Sequence, residues 1–128
     1  MTEPRYLLDT NICLYLFGAT SPPLKARVAA CDQGELSISV IVLAELIVGV
    51  ERHDRSALPL LANLLRIAPA LPFDEAAASA YGQLPFKRAK FDRLIAAHAM
   101  ALGVTLITAN PHDFADVPGL QVEDWTAE

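Results

Sequence analysis

Acidic side chains stand in this 128-residue sequence at positions where carboxylates are expected to do chemistry. Asp9 ends the short apolar run Arg5–Asp9, which predicts a buried strand, so its side chain is expected at the sheet edge where α/β proteins bind ligands. Glu45 is the one charge in the apolar stretch 37–50, and an ionised carboxylate in dry surroundings is costly unless it is paired or binds a cation. A distant lysine or arginine, a bound cation, water at a cleft and an exposed helix stripe are all compatible with this stretch alone.

Further oxygen ligands follow at the ends of other predicted elements. Asp92 lies at the start of a predicted helix, and Asn110 and Asp113 follow a β-branched strand. Each acid also has an ordinary interpretation: Asp9 as a helix N-cap, Asp92 as an acid favoured by the helix dipole, Asp113 as a solvated turn residue. Together these positions place three or four oxygen ligands near one sheet edge, where like charges repel unless a cation neutralises them.

Hard oxygen ligands without a histidine or cysteine pair suit Mg²⁺ or Mn²⁺. Such a site can activate a water molecule and stabilise an in-line displacement at phosphorus. The net charge of −5 argues against a surface coated with basic residues, but a metal can supply the positive field that a nucleic-acid substrate needs. The densest basic cluster flanks Asp92 and is expected to contact phosphate, the alternative being a solvated helix face; its members are Lys87, Arg88, Lys90 and Arg93.

Two other side chains near these positions have structural interpretations. Phe91 is expected to pack in the core, with stacking on an unpaired base as the alternative. His98 lies six residues after Asp92 and so on a different helix face, which favours a partly buried structural histidine.

The elements that position these residues alternate between strands and helices. Strands are predicted at Arg5–Asp9, Leu36–Ser39, Ile67–Phe73, Val104–Thr108 and Leu120–Glu123. Helices are predicted at Ile12–Phe17, Leu24–Cys31, from a Ser39 cap to His53, and at Ser56–Leu65, Glu75–Leu84 and Lys90–Leu102, with Thr10 or Asn11 capping the first. This alternation predicts right-handed crossovers and an α/β fold with a mainly parallel central sheet covered on both faces. The length suits one domain over residues 1–128.

Several compositional features bear on the compartment. No apolar run approaches the roughly 20 residues that span a bilayer, and the N-terminus lacks the pattern of a signal peptide. Cys13 and Cys31 lack metal or redox spacing and are typical of thiols in a reducing compartment. We therefore expect a cytoplasmic protein with no membrane segment.

Four ordered motifs, spread over almost the whole chain, carry a resemblance to a known family. They are Leu8-Asp9-Thr10-Asn11, Ser39…Leu43-Ala44-Glu45-Leu46…Gly49, Asp92-Arg93-Leu94-Ile95-Ala96-Ala97-His98-Ala99 and Val104-Thr105-Leu106-Ile107-Thr108-Ala109-Asn110…Asp113-Phe114. In this order they resemble the PIN-domain ribonucleases and, more narrowly, the VapC toxins of bacterial toxin–antitoxin pairs. The resemblance implies a three-layer α/β/α PIN fold, RNA cleavage dependent on Mg²⁺ or Mn²⁺, a homodimer, and inhibition by a cognate VapB-type antitoxin.

The same resemblance assigns roles to individual residues. The metal-site acids are Asp9, Glu45 and Asp92, with Asp113 as the fourth acid. The supporting residues are Thr10 and Asn11 beside Asp9, and Thr108 or Asn110 beside the fourth acid. Many relatives carry Asp where this chain has Asn110, so the fourth ligand is Asp113, the Asn110 carbonyl or a water. Residues 85–91 replace a longer Gly-containing segment of the family, which bears on substrate geometry.

The sequence therefore predicts a metal-dependent endoribonuclease toxin, in which Glu45 faces Asp9 and Asp92 across a cleft. A non-catalytic module that keeps the fold and binds a partner is the alternative, and Asn110 is the feature in its favour. A phosphoryl-receiving signalling domain is disfavoured, because it would need a second acid beside Asp9, an acceptor Asp after the third strand and a Lys after the fifth.

Overall fold

The computed structural model describes residues 3–85 and 90–127, which contain five strands, six α-helices and two short 3₁₀ helices. The strands are β1 (Tyr6–Leu8), β2 (Leu36–Ser39), β3 (Ala70–Leu71), β4 (Thr105–Ile107) and β5 (Val122–Glu123). The α-helices are α1 (Thr10–Gly18), α2 (Pro22–Ala29), α3 (Val40–His53), α4 (Leu58–Ile67), α5 (Glu75–Gly82) and α6 (Phe91–Leu102). The 3₁₀ helices cover Arg55–Ala57 and Pro111–Phe114. In these ranges no helix combines the length and the apolar character needed to cross a membrane.

The strands form one sheet in the order β3-β2-β1-β4-β5, with every neighbouring pair parallel. At its centre, Leu8 lies opposite Ile38 on one side and Ile107 on the other. All three side chains are fully buried, and each such burial contributes roughly 1.5–3 kcal/mol to folding. The predicted class, a three-layer α/β/α fold with a parallel sheet, is confirmed. Because the strands run in one direction, the residues after β1 and β4 reach the same sheet edge.

The first helix begins at Thr10, two residues earlier than predicted. Its N-cap is Asp9, whose extended backbone lets its carboxylate accept a 2.9 Å hydrogen bond from the N–H of Ile12. The prediction that Thr10 or Asn11 caps α1 is therefore wrong, because the strand already ends with a side chain that can cap. This shift leaves the Thr10 hydroxyl free of the cap and able to bond elsewhere.

Prolines lie close to two further boundaries that differ from the prediction. The helix predicted at Ser56–Leu65 begins as a 3₁₀ turn, and α4 starts around Pro59, which is tolerated in a first turn because its missing N–H has no helical partner there. The helix then continues to Ile67, which shortens the predicted strand 67–73 to β3 alone. Pro69 contributes only its carbonyl to the sheet, accepting a 3.0 Å bond from Ile38.

His98 fixes α6 to the start of the helix that carries Glu45. It is 1% exposed, and its Nδ1 lies 2.8 Å from the Oγ of Ser39, the N-cap of α3. Its ring also packs edge-on against Phe73, with the ring centroids 5.5 Å apart. The prediction of a structural histidine agrees with these contacts, although the side chain is more deeply buried than expected.

The burial of His98 predicts that metal-free protein loses stability in acid. Burial lowers the pKa of His98, and the nearby charge of Asp74 opposes that effect only in part. The unfolded chain therefore binds a proton near pH 6.5 before the folded chain does, so stability falls as the pH drops from 7 through 6.5 towards the lowered pKa. We expect His98→Asn to flatten this part of the curve of melting temperature against pH. The exposed control His53→Asn should leave the curve unchanged; equal slopes for wild type and His98→Asn would contradict the assignment.

Candidate active site

A cavity of about 220 Å³ at the carboxyl edge of the sheet gathers the acids that the sequence singles out. Four acids line it, each from a different segment: Asp9, Glu45, Asp92 and Asp113. Four polar neighbours share the lining: Thr10, Asn11, Thr108 and Asn110. Ile95 of α6 and Phe114 supply its apolar wall. The structure therefore brings the predicted acids and their predicted supporting residues to one place.

The surroundings of Asp9 in this cavity shift its pKa. Burial raises the pKa of Asp9, and the negative charges of Glu45 and Asp113 raise it further. Hydrogen bonds from Thr108 and from the N–H of Ile12 act in the opposite direction. Asp9 is thus an ionisable group whose charge the fold disfavours, and a cation beside it would reverse that balance.

Glu45 projects from α3 into the same cavity as Asp9 and Asp92, and is partly exposed. The Oγ1 of Thr10 donates a 2.7 Å hydrogen bond to its Oε1. The supporting residues therefore act on acids other than those predicted: Thr10 orients Glu45, while the side chain of Thr108 acts on Asp9 by lowering its pKa. Thr108 also accepts a 3.1 Å bond from the N–H of Asn110, which fixes the backbone leading to the 3₁₀ helix.

Asp92 lies in the first turn of α6, where the helix dipole favours a negative charge. Its Oδ1 is buried and accepts no hydrogen bond from any residue of the described ranges. The Nε of Arg93 lies 3.8 Å away, which is too far for a hydrogen bond. A buried carboxylate oxygen without a donor is the kind of group that binds a cation.

The fold buries Arg93, and this position does not favour the predicted contact with RNA. Arg93 is only 4% exposed, and it donates hydrogen bonds to the Oδ1 of Asp116 at 2.8 Å and to the carbonyl oxygen of Asp113 at 2.6 Å. The buried face of α6 explains this, because Arg93 precedes the buried Ala96 and Ala97 by one helical turn. Of the other predicted RNA contacts, Lys90 is exposed at the start of α6, whereas Lys87 and Arg88 lie outside the described residues.

The prediction that Phe91 packs in the core is wrong, because this residue is 59% exposed. Side chains on a helix lie over the turn that precedes their own Cα, and Phe91 is the first residue of α6. Phe91 lines a groove together with Ile41, Ala44 and Val48. Glu45 lines both this groove and the acidic cavity, so the two adjoin. The predicted alternative, stacking on a base, is compatible with this exposure.

The donor set fits a hard divalent cation. The oxygens of this site come from four carboxylates, the ligands that Mg²⁺ and Mn²⁺ prefer, and one of them is the Oδ1 of Asp92, which accepts no hydrogen bond from the described residues. Across residues 3–85 and 90–127, no three His, Cys, Asp or Glu side chains are arranged to hold a metal ion as they stand. Binding would therefore require these side chains to turn towards one another, which their partial exposure permits.

Comparison with known proteins identifies the fold as that of a nuclease family. The family model described as PIN domain matches residues 6–120. A tRNA(fMet)-specific endonuclease VapC from Shigella flexneri is 32% identical over 131 residues, covering 95% of this chain and 98% of the relative. A ribonuclease VapC2 from Rickettsia felis is 32% identical over 133 residues, covering 94% of this chain and 97% of the relative.

Solved structures give the same result. The DNA-bound VapBC complex of Salmonella typhimurium contains a chain that superposes with a TM-score of 0.85 at 28% identity, covering 95% of this chain and 98% of the other. VapBC2 from Rickettsia felis, bound to a promoter DNA fragment, contains one with a TM-score of 0.83 at 30% identity, covering 94% and 98%. PIN-domain nucleases are generally dependent on divalent metal ions. By its sequence, its fold and the acids at its sheet edge, the chain belongs to the PIN-domain family, in the VapC branch.

Proposed function

We propose that this chain is the toxin of a type II toxin–antitoxin pair and cleaves RNA with the help of Mg²⁺ or Mn²⁺. One observation carries the proposal: acids from four separate segments line one cavity at the carboxyl edge of the sheet. The matched relatives from Shigella flexneri and Rickettsia felis, named as VapC nucleases, support the same reaction. Hydrolysis of RNA phosphodiester bonds in the cytoplasm would inhibit translation.

Asp9, Glu45, Asp92 and Asp113 would hold the cation. When bound, such a cation supplies an activated water and stabilises the negative charge that builds on phosphate oxygens. The protein's own residues orient the ligands: Thr10 fixes Glu45, and Thr108 with the N–H of Ile12 fixes Asp9. Asp113 is preferred to Asn110 as the fourth ligand, because its charge already acts on Asp9.

The RNA is proposed to pass over the acidic cavity towards a second cavity of about 300 Å³ beside it. This second cavity shares Asp92 and Asp113 with the first and adds the exposed side chains of Lys90 and His112. Lys90 can contact a phosphate without sequence preference, which would position the chain for cleavage between the acids. Lys87 and Arg88, which precede Lys90, are proposed to extend the same contact.

An antitoxin of the VapB type is the proposed partner, since the similar structures from Salmonella typhimurium and Rickettsia felis are VapBC complexes. A groove of about 460 Å³ between α1, α3 and α4 is the candidate surface. Leu14 and Leu60 line it at 48% and 43% exposure, and it shares Thr10 and Glu45 with the acidic cavity. A segment bound there would border the catalytic acids. The resemblance to VapC toxins also supports a homodimer.

The proposal predicts that the purified, antitoxin-free chain cleaves RNA only with a divalent cation. Total cellular RNA incubated with the chain should be cut when Mg²⁺ or Mn²⁺ is added, and EDTA should abolish the cutting. Returning the cation in excess of EDTA should restore it. Cleavage that persists in EDTA would contradict the role of the acids, and a chain that cuts no RNA yet binds its antitoxin would be a partner-binding module.

A further inference from the structure

We propose that Arg93 is a positioning residue that fixes the segment of Asp113 and leaves the carboxylate of Asp92 available to bind the cation. The inference rests on the proposed metal site and assigns to that site a residue that does not touch metal or RNA. It joins the two segments that supply the third and fourth acids, the start of α6 and the 3₁₀ helix Pro111–Phe114.

The guanidinium of Arg93 spans these segments with short, well-defined contacts. Its Nη2 donates to the carbonyl oxygen of Asp113 at 2.6 Å, and its Nη1 donates to the Oδ1 of Asp116 at 2.8 Å. Its Cζ lies 6.0 Å from the centroid of the Phe114 ring. The 3₁₀ helix has no side-chain hydrogen bond at its N-cap, so these contacts from Arg93 are important in fixing the position of Asp113.

Burial makes this arrangement specific to arginine. A guanidinium that is 4% exposed must have its charge and its donors matched, and Asp116 supplies the matching charge. The planar fork reaches two acceptors at once, one on the backbone and one on a side chain. A lysine at this position would keep the charge but would not reach both acceptors.

Because Arg93 donates its hydrogen bonds to other groups, the carboxylate of Asp92 stays available to a cation. Arg93 directs its hydrogen bonds to Asp116 and Asp113, while its Nε stays 3.8 Å from the Oδ1 of Asp92. Neither of these two atoms has a hydrogen-bond partner in the described part of the chain. Asp116 therefore draws the guanidinium away from Asp92, so that the Asp92 carboxylate is held near a positive charge without being captured by it.

Binding of Mn²⁺ alone, measured by calorimetry on the purified antitoxin-free chain, tests the inference. We expect Arg93→Lys to weaken Mn²⁺ binding about tenfold, the low end of the usual loss when a residue supporting a metal ligand is replaced. Asp116→Asn, at a more exposed position, should also weaken binding but by less than Arg93→Lys does, because the uncompensated guanidinium would then move towards Asp92 and compete with the cation. The control Arg27→Lys, at the exposed ion pair with Glu123, should bind as wild type.

Melting temperatures, and RNA cleavage measured in parallel, separate the possible outcomes. A folded Arg93→Lys that binds Mn²⁺ like wild type would overturn the positioning role, and if that variant does not fold, unchanged binding by Asp116→Asn would overturn it. If wild type cleaves RNA while both variants bind Mn²⁺ normally, the positioning role fails and the proposed function stands. If the variants lose Mn²⁺ affinity but wild type cleaves no RNA, the proposed function fails and the positioning role stands.

Discussion

Replacing Asp9 with Asn is expected to lower RNA cleavage by about 10³-fold, the equivalent of about 4 kcal/mol of transition-state stabilisation. The same change should raise the melting temperature of the metal-free chain by a few degrees at pH 7. Burial and the charges of Glu45 and Asp113 raise the pKa of Asp9, so its ionised form destabilises the fold. Asn removes the charge but still caps α1, because its side-chain oxygen can accept the bond from Ile12.

The pH dependence and two further variants identify the cause of this gain. The advantage of Asn should disappear below about pH 4, where Asp9 is protonated in the folded and the unfolded chain. Asp9→Ala should lose the cap as well and gain less, since a lost N-cap costs about 1 kcal/mol. Asp74→Asn, at the exposed N-cap of α5, should leave cleavage unchanged and should not raise the melting temperature at pH 7. A fall in the melting temperature of Asp9→Asn would show that the Asp9 charge stabilises the fold.

Glu45→Gln should also lower RNA cleavage by about 10³-fold, because it removes one carboxylate from the proposed cation site. The fold should be retained, since Gln keeps a side-chain oxygen to accept the 2.7 Å hydrogen bond from Thr10. The kinetic signature expected is a fall in kcat with a higher cation requirement and little change in KM for RNA.

The same helix provides a matched control for this variant. Glu51 lies further along α3, is exposed, and pairs with Arg55 at 3.6 Å. Glu51→Gln makes the same chemical change outside the cavity, and its cleavage rate should stay within about twofold of wild type, as for most surface changes. Equal activity of the two variants would remove Glu45 from the catalytic machinery.

Much of this fold follows from local signals in the sequence. The strands β1 and β4 are short and mostly apolar, and β2 alternates apolar residues with serine. Asp9, Ser39 and Asp74 cap helices through contacts that can be expected from residue type. The convergence of acids could also be predicted, because parallel strands bring their carboxyl ends to one edge. Glu45 is an example. A single charge in an apolar helix predicts a paired side chain or a bound cation, and Glu45 lines the acidic cavity together with Asp9.

Arg93 and Phe91 show where this reasoning failed. Arg93 stands in a run of basic residues, and composition alone predicts that such a run is exposed. The helical spacing to Ala96 and Ala97 was the signal that could have placed it on the buried face. Its partner Asp116 lies 23 residues away, and a contact between residues so far apart has no local signal. Phe91 is apolar, but at the first position of α6 it has no preceding turn to pack on.

The central claim is that Asp9, Glu45, Asp92 and Asp113 together form one divalent-cation site. Crystals of the antitoxin-free chain grown with MnCl₂ and measured at the manganese absorption edge would locate the ion by its anomalous signal. We predict a strong peak in the acidic cavity, about 2.0–2.3 Å from carboxylate oxygens of at least two of these residues. Manganese peaks found only elsewhere on the chain, in crystals of protein that still cleaves RNA, would contradict the claim.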